Sequence, residues 1–207
     1  MCLLDRLFAA AYDPVMSRVE ARVLARRRRE LLAGLRGHVV DVGAGTGANL
    51  RHLDAEVGHV TALEPAAPMA QRLRTAAAAR PELDIDVIEA PAEAMPLPDA
   101  SVDAVVSTLT LCTVDDLHRS ISELRRVLRS DGRLLLLEHV AADRPGLARV
   151  QRTLEPAWKT LARGCHLTRD TRTALAEHGF VVDAVRPWRF PGGGPASPAI
   201  GGVATLR

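Results

Sequence analysis

The sequence is short of aromatic side chains, of cysteine and of any one sign of charge, and each shortage narrows what the chain does. Phe, Trp and Tyr make up 3% of it against 47% hydrophobic residues overall, a globular, Ala- and Arg-rich composition that names no activity. The three cysteines, Cys2, Cys112 and Cys165, are odd in number, widely spaced and outside any CxxC pair. That argues against a disulfide framework or a structural zinc site and favours a reducing, cytoplasmic setting. A net charge of +2 is too small for a nucleic-acid partner, and no base-reading module is present. Long apolar runs are missing as well. The N-terminal "MCLLDRLFAAAY" is apolar on one face, lacks the basic region of a signal peptide and falls short of the roughly 20 residues a membrane span requires. A soluble protein without a transmembrane anchor is expected, and 207 residues suit one well-buried domain.

What is present is an alternation of periods. Leu3, Leu4, Leu7, Phe8 and Ala11 predict a short amphipathic helix ended by Pro14. A second helix carries Val15, Val19, Val23, Leu24, Leu31 and Leu32 on one stripe, with the basic cluster Arg26 to Arg29 mostly off it and expected to be solvated. From His38 onward the pattern predicts strand Val39–Val42, helix Ala48–Leu53, strand His59–Leu63, helix Ala67–Ala79 and strand Ile85–Ile88. It continues with strand Val102–Val106, helix Asp116–Leu128 and strand Arg133–Glu138. In "RSDGRLLLLEHV", Asp131-Gly132 reads as a turn and the four leucines as a strand buried on both sides. Then come an irregular or helical insertion to about Gly164, a helix from Asp170 to His178 and the strand "FVVDAVRPW". The loop "PGGGPASPAIGG" and a last short strand near "VATLR" close the chain. Strands alternating with helices in this way argue for an α/β fold with a parallel sheet covered on both faces.

The stretch "VVDVGAGTGANL" sets Gly43, Gly45 and Gly47 directly behind a strand, where backbone amides approach a nucleotide-bearing ligand. Ala48 and Asn49 follow the last glycine, so the Lys and Ser/Thr of a P-loop are absent. The dinucleotide pattern is met in its permissive form by Gly43, Gly45 and Ala48. Glu64, at the end of the next strand, suits both hydroxyls of a ribose and so any adenosine cofactor. Asp41 stands inside the first strand, where a pyrophosphate gains nothing from added negative charge. A cofactor with a cationic amino-acid tail does gain, and S-adenosylmethionine fits that preference better than NAD.

At these residues the sequence resembles the class I S-adenosylmethionine-dependent methyltransferases. "VVDVGAGTG", "VTALEP", "AEAMPLPDASVDAVVS" and "ELRRVLRSDGRLLLLE" fall in that family's order and spacing. The resemblance implies a Rossmann-like fold, a seven-stranded, mostly parallel sheet flanked by helices with an antiparallel C-terminal hairpin. It implies a helical cap over the cofactor cleft at residues 1–36 and a methyltransferase domain at 37–207, with a substrate-loop insertion at about 140–170. It further implies S-adenosylmethionine as cofactor and S-adenosylhomocysteine as product. Gly43, Ala44, Gly45 and Gly47 then approach the methionine part, Glu64 with Pro65 the ribose, Met69 the adenine face, and Ala92 with Glu93 the adenine edge. Many relatives place Asp just before that Ala-Glu pair, where this chain has Pro91. Tyr12 and Thr108 are candidates for the cofactor's carboxylate and amino ends. "STLTLCTVDD", "LLLLEHVAA" and "LEPAWKTLARGCHLTRDTRTAL" resemble more closely the branch that includes the animal membrane-associated alkyl-thiol methyltransferases. Their hydrophobic anchor is not expected here.

Methyl transfer from a sulfonium requires alignment and, for some acceptors, proton removal. His139, at the carboxyl end of a central strand, and His166, in a loop able to close over the substrate, are the candidate bases or hydrogen-bond partners. Cys112 reads as a small buried residue, and His139, Cys165 and His166 lack the spacing of metal ligands, so no metal is expected. Trp158 and Trp188 are candidates either to wall an apolar pocket or to fill the core, and Arg163 with Arg169 reads as solvated surface, with attraction of an acidic substrate as the alternative. The resemblance implies S-methylation of a small-molecule thiol. The alternatives are O-, N- or C-methylation of a small metabolite, quinone or phospholipid, and a cofactor-binding interaction module without turnover.

Overall fold

The computed structural model describes residues 23–207. At its centre run strands too apolar to face water on either side. β1 (Gly37–Val42), β2 (Val57–Leu63), β4 (Val102–Thr108) and β5 (Leu128–His139) are buried almost throughout their carboxyl halves. With the edge strand β3 (Ile85–Ile88) they pair in parallel in the order β3-β2-β1-β4-β5. Side chains alternate along a strand, so the leucine run divides. Leu134 and Leu136 pack on one face with Ile121, Leu124 and Phe180, and Leu135 packs on the other with Leu32, Leu50 and Leu73. Each such fully buried side chain contributes about 1.5–3 kcal/mol of transfer free energy, and both helical layers are held to the sheet by it.

The helices begin where the sequence offers caps. α2 (Ala67–Ala78) has proline in its first turn, and α3 (Leu117–Val127) follows Asp116, whose carboxylate accepts from Arg119 N at 3.0 Å. The expected cap at residues 1–36 falls mostly outside the described residues. Its described end is α1 (Ala25–Leu32), preceded by Leu24, which packs on Leu137, Phe190 and Ala199. The predicted insertion holds a single helix, α4 (Pro145–Leu161), running through Pro156. α5 (Thr171–Glu177) is capped by Asp170, which accepts from Thr173 N at 3.1 Å.

Several boundaries differ from the sequence expectation. The predicted helix Ala48–Leu53 is only a 3₁₀ turn, Leu50–His52, because the glycine turn still occupies Gly47 and the chain is extended again at Leu53. Asp131-Gly132 lies in a bulge of β5: Val102 pairs with Leu128, yet Ala104 pairs with Arg133. Among the described residues the sheet has eight strands, one more than the seven expected. The segment "FVVDAVRPW" divides into β6 (Phe180–Val181) and β7 (Arg186–Arg189), both antiparallel to β8 (Pro198–Leu206), which sits beside β5. The break falls opposite Gly202, where a Cβ would strike the Ala184 carbonyl oxygen. β7 and β8 form the expected hairpin, though β8 begins inside the stretch read as loop. No helix among the described residues is long and apolar enough to cross a membrane. Strand order reverses between β1 and β4, which opens a crevice at the carboxyl ends of those strands.

Candidate active site

The turn behind β1 holds Gly43, Gly45 and Gly47 at φ of 63°, 61° and 89°, a region that glycine alone enters without strain. Space separates their duties. A side chain at Gly43 would strike Thr110 and one at Gly47 would strike Ala76 of α2, whereas a Cβ at Gly45 meets nothing nearer than Met69 Cε at 3.9 Å. Gly45 borders a cavity of about 780 Å³, within the roughly 300–1,000 Å³ of ligand pockets. Glu64 borders it too, its carboxylate accepting from Gly45 N at 3.1 Å and Ala66 N at 2.9 Å. Burial pushes the Glu64 carboxyl above the usual range, against the pull of those two amides. Gly43, Pro65, Met69, Ala92 and Glu93 complete this end of the wall. Glu93 is also an anchor, its carboxylate accepting from the amides of Asp115 and Asp116 at 2.8 and 3.1 Å.

Asp41, Ala44, Gly47 and Thr108 stand outside the lining, and Tyr12 lies outside the described residues. Asp41 is buried beneath the turn, where its Oδ1 accepts from Asn49 Nδ2 at 2.7 Å and its Oδ2 has no hydrogen-bond partner among the described residues. Asn49 also donates to Thr108 Oγ1 at 3.0 Å, and Arg28 Nη1 donates to both Asn49 Oδ1 and Thr108 Oγ1. Arg28, expected with the solvated cluster, is therefore 5% exposed. Desolvation pushes the Asp41 carboxyl up to about 6, although Asn49 and the Arg28 charge oppose it. With a cation already beside it inside the protein, Asp41 does not need a cationic ligand to account for its presence.

Beside the glycine turn on the cavity wall, the chain leaves β4 through Leu109, held at φ 60°. Four donors on one carboxylate fix this turn. Glu138 Oε1 accepts from Ser107 Oγ at 2.7 Å, Thr110 N at 3.0 Å and Leu111 N at 3.1 Å, and Oε2 accepts from Cys112 N at 3.1 Å. Complete burial raises the Glu138 carboxyl's pKa, while these hydrogen bonds favour its charged form. Arg169 donates to the carbonyls of Leu111 and Val114, and His166 N donates to Cys112 O at 2.7 Å. Arg169 is thus a fastener of this loop rather than a surface charge.

The outcome is a meeting of Cys112, His139 and Cys165, all lining the cavity, with Cys165 Sγ 3.4 Å from His139 Nδ1. Donation from the Cys112 thiol, then the His139 contact, holds the Cys165 thiol below its usual range. Cys112 is shifted up, because its thiol is the donor and it is buried near Glu138. The indole N–H of Trp158 lies close enough to favour the Cys165 thiolate but makes no hydrogen bond of good geometry among the described residues. Leu109, Val114, Trp158 and Leu161 supply apolar wall. Trp188 lies against Phe190 at 4.4 Å, with Arg27 over its ring, away from the cavity.

His166 is not among the residues that line the cavity; its Nδ1 is 3.1 Å from Glu155 of α4, which also accepts from Thr168 N at 2.9 Å, so His166 anchors the loop. Glu138, Asn49, Arg28 and Glu155 were not assigned roles from sequence. The one legible signal was Glu138, an acid at the end of a run of buried leucines, where an unpaired charge is too costly to be accidental.

A family model described as Methyltransferase domain matches residues 40–136. The thiol S-methyltransferase TMT1B of Homo sapiens is 35% identical over 170 residues, covering 77% of this chain and 69% of the relative. The chain belongs to the class I S-adenosylmethionine-dependent methyltransferases. Human thiol S-methyltransferase TMT1A is 34% identical over 168 residues, 76% of this chain and 68% of the relative. Another relative, the ubiquinone/menaquinone biosynthesis C-methyltransferase UbiE of Methylobacterium nodulans, is 38% identical over 115 residues, 54% of this chain and 46% of its own. Among solved structures, geranyl diphosphate methyltransferase in complex with SAM shares the fold. Its TM-score is 0.70 at 14% identity, over 92% of this chain and 90% of that one. The methyltransferase takes S-adenosylmethionine as cofactor, and the cleared side of Gly45 with Glu64 on the same wall fits that group.

Proposed function

We propose that this methyltransferase S-methylates a small apolar thiol. The observation that carries the reading is the acceptor end of the cavity, where Leu109, Val114, Trp158 and Leu161 surround the meeting of His139 with two cysteines. Apolar walls favour a neutral, hydrophobic acceptor by removing its surface from water. A thiol is already partly thiolate near neutral pH, so an imidazole suffices beside it, whereas a hydroxyl demands a stronger base. Similarity to two human proteins named thiol S-methyltransferases supports the same acceptor.

In this reading Gly43 and Gly45 give the backbone its approach to the methionine part, with Ala44 and Gly47 shaping the turn behind them. Glu64 holds the ribose, Pro65 and Met69 border the adenine face, and Ala92 and Glu93 its edge. When bound, the cofactor supplies a methyl group already activated by the sulfonium. The chain's own part is to hold the acceptor sulfur in line, exclude water, and receive the sulfur or its proton at His139. A methyl-transfer screen that pairs thiols with their hydroxyl and amine isosteres tests this. Turnover confined to thiols supports the reading, and turnover of the isosteres without the thiols ends it.

A further inference from the structure

Three soft ligand side chains that the sequence keeps apart converge on the cavity wall. Cys112 follows β4, His139 ends β5 and Cys165 follows α4, and one ligand atom from each lies within 4.8 Å of the other two. Cys165 Sγ and His139 Nδ1 are 3.4 Å apart. Bonds of about 2.3 Å to sulfur and about 2.0–2.1 Å to imidazole nitrogen put tetrahedral ligand atoms roughly 3.4–3.8 Å apart. That pair already has ligand spacing, and small side-chain movements close the triangle.

The backbone beneath the ligands is fixed independently of them. Cys112 is held through its N–H by Glu138 at 3.1 Å and through its carbonyl by His166 N at 2.7 Å, and His139 lies in the ladder opposite Ala199. Glu138 itself takes four donors, which makes it the support of the cluster and not a member. Two thiolates and an imidazole select zinc-like, thiophilic cations over magnesium or calcium. Their two negative charges cancel those of a divalent cation, so the loaded site is neutral next to the rings of Phe190 and Trp158. All three side chains line the cavity, and three protein ligands with a fourth position open is the arrangement of catalytic rather than structural zinc.

We infer that Cys112, His139 and Cys165 form a binding site for one thiophilic divalent cation of the zinc class, open to the acceptor end of the cavity. The step that follows rests on the thiol reading above: the open position takes the acceptor's sulfur, and His139 serves as ligand rather than base. The S–H proton passes to solvent as the sulfur binds. The thiolate lone pair forms the new S–C bond, the sulfonium S–C bond breaks with its electron pair kept by the departing sulfur, and the neutral thioether dissociates.

The test uses the full chain as Cys2→Ser, chelator-treated and kept reduced, so that its only thiols are the two in the cluster. Cadmium is titrated while the thiolate-to-cadmium charge-transfer absorption is followed, and zinc affinity is taken by competition. Saturation at one ion per chain is expected. Changes outside a metal's direct ligands already cost about 10–100-fold in affinity, so Cys112→Ser and Cys165→Ser are each expected to lose about 100-fold or more. Circular dichroism and S-adenosylhomocysteine binding report whether each variant is folded. Binding well below one ion per chain, or binding unchanged in folded Cys112→Ser/Cys165→Ser, overturns the site. Stoichiometric binding in a protein that methylates no thiol upholds the site and removes the thiol reading. Thiol turnover that is identical with and without metal leaves that reading standing and overturns the acceptor step.

Discussion

Asp41 sits in an environment at odds with its charge. It is 1% exposed, one of its oxygens has no hydrogen-bond partner among the described residues, and its carboxyl is pushed up to about 6. Between about pH 4 and about pH 6 the folded chain keeps a proton that the unfolded chain has released, so this group's contribution to stability falls as pH rises through that window. It is constant above, and a shift of about two units corresponds to roughly 3 kcal/mol. Asp41→Asn removes the titration. The Tm of the variant minus that of the parent is therefore expected to move in the variant's favour from about pH 4 to about pH 7, as read by paired thermal melts. A flat difference would show that Arg28 and Asn49 compensate the charge fully. Cys112 illustrates the limit of reading single residues: its expectation as a small buried side chain holds at 1% exposure, yet it also faces the cavity.

Two connecting segments decide the site. The glycine turn was legible because positive φ at all three glycines is a local requirement; which of them faces the cavity was decided by Thr110, Met69 and Ala76, brought there by the fold. The turn from Leu109 to Cys112 was not legible, since its conformation is imposed by Glu138, whose partners Leu111 and Cys112 are 27 and 26 residues away. Periodicity carries no information across such a separation. Glu138→Gln keeps the shape but puts an amide N–H₂ where a carboxylate oxygen accepts, opposing either the Cys112 amide or the three donors on Oε1. A loss of about 2–4 kcal/mol is expected in chemical denaturation, the scale of hydrogen bonds to a buried charge with one group left unpaired. Stability within about 0.5 kcal/mol of the parent would mean that the turn holds without the carboxylate. The β5 bulge and the broken β6/β7 edge were half-legible in the same way: Asp131-Gly132 announced an irregularity, and only the ladder showed its kind.

The whole molecule joins these elements through one crevice, so occupying it should stabilise the entire fold. S-adenosylhomocysteine at about 100 times its Kd is expected to add roughly 2.7 kcal/mol, or about 5–11 °C in Tm for a domain of this size. Glu64→Ala is expected to weaken binding by about 1–3 kcal/mol and so to lose much of that shift at the same ligand concentration, with calorimetry giving the affinity directly. An unchanged shift removes Glu64 from the ribose. By itself the sequence determined the alternation of strand and helix, burial of the sheet on both faces, the glycine turn and the acidic residue that follows it. Each of these depends on neighbours within a few residues or on a repeating period. Only the tertiary structure decided that His166 turns to Glu155, that Arg28 reaches Asp41's network, and that Cys112, His139 and Cys165 meet. Those three side chains come from the ends of two strands and a helix, and their distances are set by sheet order, a quantity that spacing along the chain does not encode.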